Sequence, residues 1–187
     1  DCVYVDLNAD GEINSNDATR DIGYTDMPEY TAGLNTGFSW KNFDFSMQWT
    51  GAWNVDRMLD EFRRPLGDTN EKGLLLYQYD TTWRSSADTF TAKFPRTSSL
   101  HASNNYAGSD LYLINASYLR LKSVEIGYNF NFPFMKKLKM DNCRLYVNGY
   151  NLITITGFKW GDPESRQSSR PNYPLTRVFN IGLKLGF

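Results

Sequence analysis

Asp6, Asn8 and Asp10 stand at alternate positions of a stretch that continues Gly11-Glu12-Ile13-Asn14 and closes at Asp17. Calcium chemistry asks for that order. Oxygen donors fall at loop positions one, three and five, glycine at six makes the sharp turn, and an acid stands at twelve. In such a loop Glu12 gives its backbone carbonyl and Asn14 acts through water. Asp17 stands where an EF-hand has Glu, and it reaches less far. An Asx-rich turn that binds nothing has a similar composition. The spacing predicts a structural Ca²⁺ held by Asp6, Asn8, Asp10, Glu12 and Asp17 and bracing a loop.

Other residues offer contact rather than catalysis. Trp53, Tyr77, Tyr79, Trp83, Tyr106 and Trp160 lie in polar, irregular stretches. Trp53, Trp83, Tyr106 and Trp160 are the candidates for stacking on a sugar or touching a partner; packing within the loop is the simpler role for any one of them. Arg63-Arg64, Arg166 and Arg170 read as solvated charge, as do Lys136, Lys137 and Lys139 in a Pro133-containing turn. The single histidine, His101, lies in a Ser/Asn-rich stretch with no acid placed to serve it, and Asp88 and Asp110 are not obviously paired. No phosphate-binding glycine loop or nucleophile motif occurs, so no catalytic residue is assigned and the chain reads as a non-enzyme. A formal net charge of −1 gives no electrostatic reason to bind nucleic acid. Cys2 and Cys143 form neither a CxxC motif nor a disulfide framework.

The elements that must carry these residues are strands. Aromatics make up 16% of the 187 residues, which favours sheets over helical bundles. No apolar run approaches the roughly 20 residues of a spanning helix, but membrane-spanning strands hide their apolarity by alternating. Such alternation is plain in Phe43, Phe45, Met47 and Trp49, and again in Phe179, Ile181, Leu183, Leu185 and Phe187. It predicts strands near 30–40, 43–52, 117–131, 143–155 and 174–187. The outward face of the fourth is ambiguous. Trp40-Lys41-Asn42 predicts a tight turn, with Asn42 taking positive φ. Leu119 and Leu121 fall on one parity, and Val124, Ile126, Tyr128 and Phe130 on the other. That slip near Lys122-Ser123 predicts a bulge. The stretch around 52–116 reads as a long loop with a short helix within 70–84. The fold class is all-β: about five antiparallel strands joined alternately by short turns and long loops.

In order along the chain, Asp6-Leu-Asn-Ala-Asp-Gly-Glu-Ile-Asn14, Asn42-Phe-Asp-Phe-Ser-Met-Gln-Trp-Thr-Gly51, Asn115-Ala-Ser-Tyr-Leu-Arg-Leu-Lys122, Glu125-Ile-Gly-Tyr128, Arg144-Leu-Tyr-Val-Asn-Gly-Tyr-Asn-Leu152 and Tyr173-Pro-Leu-Thr-Arg177 followed by the tail to Phe187 resemble the C-terminal part of a SusC/RagA-type TonB-dependent outer-membrane transporter. The resemblance implies the last strands of a large barrel whose plug and remaining wall lie elsewhere. It implies active import of glycans or oligosaccharides, or of peptides, with a SusD-like surface lipoprotein and the TonB complex as partners. It places the C-terminus in the periplasm, the strands in outer-membrane lipid, and extracellular loops at 1–29, 53–116 and 156–173. Cys2 and Cys143 would then lie on opposite sides of the membrane, unbonded. It makes Phe187 part of the signal read by the barrel-assembly machinery. The runner-up is a secreted β-rich binding module with a dockerin- or EF-hand-like calcium-braced loop, although a dockerin needs a second copy of the motif.

Overall fold

A computed structural model describes residues 2–59, 76–97, 104–131, 133, 139–165 and 175–187. His101, Arg63, Arg64, Arg166, Arg170, Lys136 and Lys137 lie outside the described residues. Among the described residues the strands are β1 (Tyr30–Trp40), β2 (Phe43–Trp53), β3 (Asp56–Met58), β4 (Leu113–Asn115), β5 (Tyr118–Phe130), β6 (Asn142–Thr156) and β7 (Val178–Gly186), and a short helix, α1, spans Leu76–Thr81. The chain divides into two compact units. One is a five-stranded antiparallel sheet in the order β1-β2-β5-β6-β7. The other holds the two-stranded ribbon β3-β4, α1 and the N-terminal segment. The ribbon lies in the stretch read from sequence as a loop. Three-residue strands are too short to show alternation.

In an antiparallel ladder, residues opposite one another share a face. One row across the sheet is Phe38, Phe45, Ile126, Val147 and Ile181; a second is Trp40, Phe43, Tyr128, Leu145 and Leu183; a third is Leu34, Trp49, Leu121 and Ile153. The intervening rows run Ser39, Asp44, Gly127, Tyr146 and Gly182, and Gly37, Ser46, Glu125, Asn148 and Asn180. One face is therefore apolar across all five strands and the other is polar or small. The register also settles β6, which turns Leu145, Val147, Ile153 and Ile155 to the apolar side.

Keeping Leu119 and Leu121 on that side together with Val124 and Ile126 requires the bulge. Trp49 pairs with Leu121 while Gln48 pairs with Ser123, which leaves Lys122 as the extra residue. β6 adjusts at the same level, where Ser123 meets Tyr150 and Asn151 takes φ of 53°. At the far end β1 and β2 join through Lys41-Asn42. The left-handed residue there is Lys41, with φ of 53°, and not Asn42. Positive φ at the first central position suits the twist of a two-residue hairpin, and the ladder leaves Lys41 in that position.

The apolar face is not packed into a core. Phe38 is 57% exposed, Val147 47% and Ile181 74%. Leaving a side chain of that size in water forgoes about 1.5–3 kcal/mol each. Strands of 11, 11, 13, 15 and 9 residues are long for a sandwich. Tilted as in a barrel, all five reach the roughly 9–11 residues of a bilayer crossing, and β5 and β6 exceed it.

The polar face is filled by side chains that lie flat over glycines. Arg144 and Asp44 occupy the space above Gly127, and the Tyr146 ring covers Gly182. A Cβ at either glycine would overlap these atoms. Gly127→Val is accordingly expected to lower stability by about 1–3 kcal/mol through overpacking, read as a lower midpoint of thermal unfolding in detergent.

Candidate functional site

Three constellations could carry function: the Asx loop, the charged network on the polar face, and the aromatics of the ribbon unit.

The Asx loop is built from the side chains the sequence singles out. Asp6 Oδ2 accepts from Gly11 N at 2.8 Å, Asn8 Oδ1 from Asp10 N at 3.0 Å, and Asp10 Oδ1 from Glu12 N at 2.8 Å. Each short polar side chain closes an Asx turn or a wider loop onto backbone further on. Gly11 sits at φ of 86°, as the sharp turn requires. Asp17 closes the loop. Its Oδ1 accepts from Leu7 N at 2.9 Å and its Oδ2 from Asn14 N at 2.8 Å, forming a capping box on a single 3₁₀ turn, Ser15–Asp17. These N–H groups, Asn14 foremost, hold the Asp17 carboxyl below the usual carboxylate range. Asp6 Oδ1 is buried and has no hydrogen-bond partner. Among the described residues no group of three or more His, Cys, Asp or Glu side chains is placed to share a metal ion. A cation here would depend on Asn8 and backbone oxygen as well as on carboxylates.

On the polar face, Arg144 Nη2 reaches Glu125 Oε1 at 2.7 Å and its Nε reaches Asp44 Oδ1 at 3.1 Å. Asn129 donates to Asp44 at 3.2 Å, Asn148 to Glu125 at 3.3 Å, and Asn180 to Asn148 at 2.9 Å. This hydrogen-bonded belt spans β2, β5, β6 and β7. Toward the other end Arg120 is 2% exposed. It donates to Thr154 Oγ1 at 3.0 Å, Glu164 Oε2 at 2.6 Å and Asp162 Oδ1 at 2.7 Å. Its guanidinium lies 5.3 Å from the Tyr118 ring centre. A buried arginine satisfied on so many sides clamps the 162–165 turn onto β5 and β6. Sequence reasoning missed both networks, because alternation says which face a residue takes and not which cross-strand partner it meets.

The candidate aromatics divide between the two units, Trp53 and Trp160 in the sheet unit and the others in the ribbon unit. Tyr106 is 8% exposed and lines a cavity of about 10 Å³ with Gln78, Thr82, Phe94 and Tyr112. That volume admits about one water and no sugar. Tyr77 packs edge-on to Phe94 at 6.3 Å, and Tyr79 carries the Arg84 guanidinium at 4.2 Å. Trp83 Nε1 points to Thr89 Oγ1 at 3.5 Å, Trp53 is 38% exposed at the end of β2, and Trp160 is half-buried. Phe187 is 81% exposed beyond β7. Asp88, weighed above as a possible acid, accepts from the N–H groups of Arg84 and Ser85 and caps a 3₁₀ turn. Asp110 opens another such turn. Cys2 and Cys143 are free thiols.

No protein-family model matches the chain. It is similar to TonB-dependent receptor P3 of Formosa agariphila, 29% identical over 202 residues that take in 99% of this chain and 19% of that receptor. It is similar to TonB-dependent receptor SusC of Bacteroides thetaiotaomicron, 28% identical over 99% of this chain and 17% of SusC. Among solved structures it superposes on the RagAB peptide transporter with a TM-score of 0.69 and 21% identity, covering 94% of this chain and 19% of that one. The closed-closed state of the RagAB peptide importer gives the same TM-score over 95% of this chain at 20% identity. The chain's relatives are thus TonB-dependent receptors, and it spans about a fifth of the length of those it matches.

The Asp17 cap generates a pH dependence. Its folded pKa is lowered, so its contribution is fully present above the unfolded value of about 3.9 and is lost as pH falls through the folded one. Amide protection at Leu7, Asn8 and Asn14, relative to the unstructured chain at the same pH, is expected to fall selectively below about pH 4. Asp17→Ala should give the same loosening at neutral pH.

Proposed function

We propose, on the premise that this chain matches TonB-dependent receptors of the SusC type over nearly its whole length, that it forms part of the wall of an outer-membrane barrel that imports oligosaccharides or peptides. The apolar face meets lipid and the polar face meets the lumen. The observation that carries this is the exposed apolar face five strands wide, backed by a face whose polar groups hydrogen-bond to one another. The resemblance adds a SusD-like surface lipoprotein, energy through TonB, and a periplasmic C-terminus.

The chain's own part in this function is mechanical. The belt of Asp44, Glu125, Arg144, Asn148 and Asn180 pairs the polar groups of the lumen face with one another across four strands. The Arg120 clamp fixes the turn after β6.

The Asx loop fits a structural Ca²⁺ on one observation, the buried and unpartnered Asp6 Oδ1. Asp6, Asn8, Asp10, the Glu12 carbonyl and Asp17 would hold it, and the ion would offset two of the three negative charges gathered in one loop. This cation would brace the loop and take no part in import.

Two measurements test these readings. Phe45→Arg and Val147→Arg put a cation on the apolar face, at roughly 2–4 kcal/mol each near a bilayer midplane; both should abolish recovery of folded protein from the membrane fraction. Ser46→Arg, on the polar face, should be tolerated better. Equal recovery of all three, or monodisperse wild-type protein without detergent, would overturn the barrel assignment. Calcium titration followed by calorimetry should show one site of roughly 10⁻⁴–10⁻³ M, lost in Asp6→Ala. Absence of heat at about 5 mM calcium, well above that range, rules the site out.

A further inference from the structure

On the polar face one row of side chains is left over by the networks to either side. The row runs Asn35, Gln48, Ser123 and Tyr150, directly opposed from β1 to β6. None of these four side chains has a hydrogen-bond partner among the described residues. The neighbouring rows are already engaged. Glu125 and Asn148, on one side, belong to the Arg144 belt, and Arg120 and Thr154, on the other, belong to the clamp on Asp162 and Glu164.

Adjacent strands stand about 4.8 Å apart, so the row crosses about 14 Å of the face. Tyr150 ends it with a side chain that is 42% exposed. Asn35 is exposed and lies between Gly33 and Gly37 on the same face of β1, so low backbone flanks it on both sides.

The charges of this face are engaged as well. At one end Asp44 and Glu125 meet Arg144, with Lys184 opposite it in the ladder. At the other end Asp162 and Glu164 meet Arg120, and Lys122 joins Glu164. Each group holds two acids and two bases, and Lys184 lies three rows away from Tyr150. A charged ligand on the row would lose hydration and find no unpaired counter-ion beside it.

A neutral, hydroxyl-rich ligand suits the row better. Amides and hydroxyls both donate and accept, as sugar hydroxyls do, and a tyrosine ring accepts the C–H face of a sugar. Extended peptides are commonly taken through their main chain at a strand edge, whereas a sheet face offers side chains alone. We propose that Asn35, Gln48, Ser123 and Tyr150 form a contact row for a neutral oligosaccharide, with Tyr150 as the stacking platform. The row rests on the barrel reading above, which turns this face to the lumen.

Native mass spectrometry of the full-length receptor carrying this chain, purified in detergent, tests it. The probes are neutral oligosaccharides from starch, cellulose and mannan, uronate oligosaccharides from pectin and alginate, and a peptide digest of casein. Wild type should retain neutral sugars and neither of the other classes. Tyr150→Ala and Gln48→Ala should each weaken that retention several-fold, and Tyr150→Phe, which keeps the ring, should weaken it less than Tyr150→Ala. Thr31→Ala, exposed on the same face outside the row, should change nothing. Retention of uronates or peptides in place of neutral sugars would overturn the ligand class. Retention of no sugar at all, or variants that bind like wild type, would overturn the row. Recovery of folded wild-type protein from the membrane fraction separates the two readings: failure there defeats the barrel reading, while folded protein whose sugar retention ignores Tyr150 and Gln48 defeats only the row.

Discussion

Opposed residues in an antiparallel ladder share a face, and a shift of one position sends every later side chain to the other side. In this sheet that constraint is met across five strands whose sequences do not alternate perfectly. Leu119 and Leu121 are out of phase with Val124 and Ile126, and the Lys122 bulge restores agreement. Without it, Leu119 and Leu121 would turn to the polar face, at the level of Thr154 and Arg120. Face separation, the exposed apolar surface and the hydrogen-bonded polar side all follow from this one registration.

The polar face shows how charge is kept on a sheet with no core behind it. Arg144 gives its donors to Asp44 and Glu125, and Arg120 gives its donors to Asp162, Glu164 and Thr154. A guanidinium does this better than an ammonium, because its planar fork satisfies two carboxylates at once. The two arginines sit at different levels of the sheet. One knits strands together and the other holds a connection down.

Much of the architecture was legible in the chain. Alternation in Phe43–Trp49 and Phe179–Leu185, the slip at Lys122 and the short connection at 41–42 were all readable, because period two is a local signal. The ribbon β3-β4 was not, since Asp56–Met58 and Leu113–Asn115 are far apart in sequence and too short to alternate. Nor was the left-handed residue at Lys41, where side-chain preference favoured Asn42 and hairpin twist decided otherwise. Of the candidate site residues, the Asx loop kept the turns its spacing implied. The settings of the aromatics were not legible, because an aromatic outside a strand is written the same way whether it is buried like Tyr106 or exposed like Tyr79.

The stacking of Arg144 over Gly127 has a consequence for how such chains diverge. The guanidinium occupies the volume that a side chain at 127 would need, so the two positions cannot drift independently. Bulk at 127 pushes the guanidinium and the Asp44 carboxylate aside, and shortening 144 strands the carboxylates of Asp44 and Glu125. A change at either position is therefore felt at the other. The apolar rows on the opposite face can exchange one oily residue for another without touching this belt.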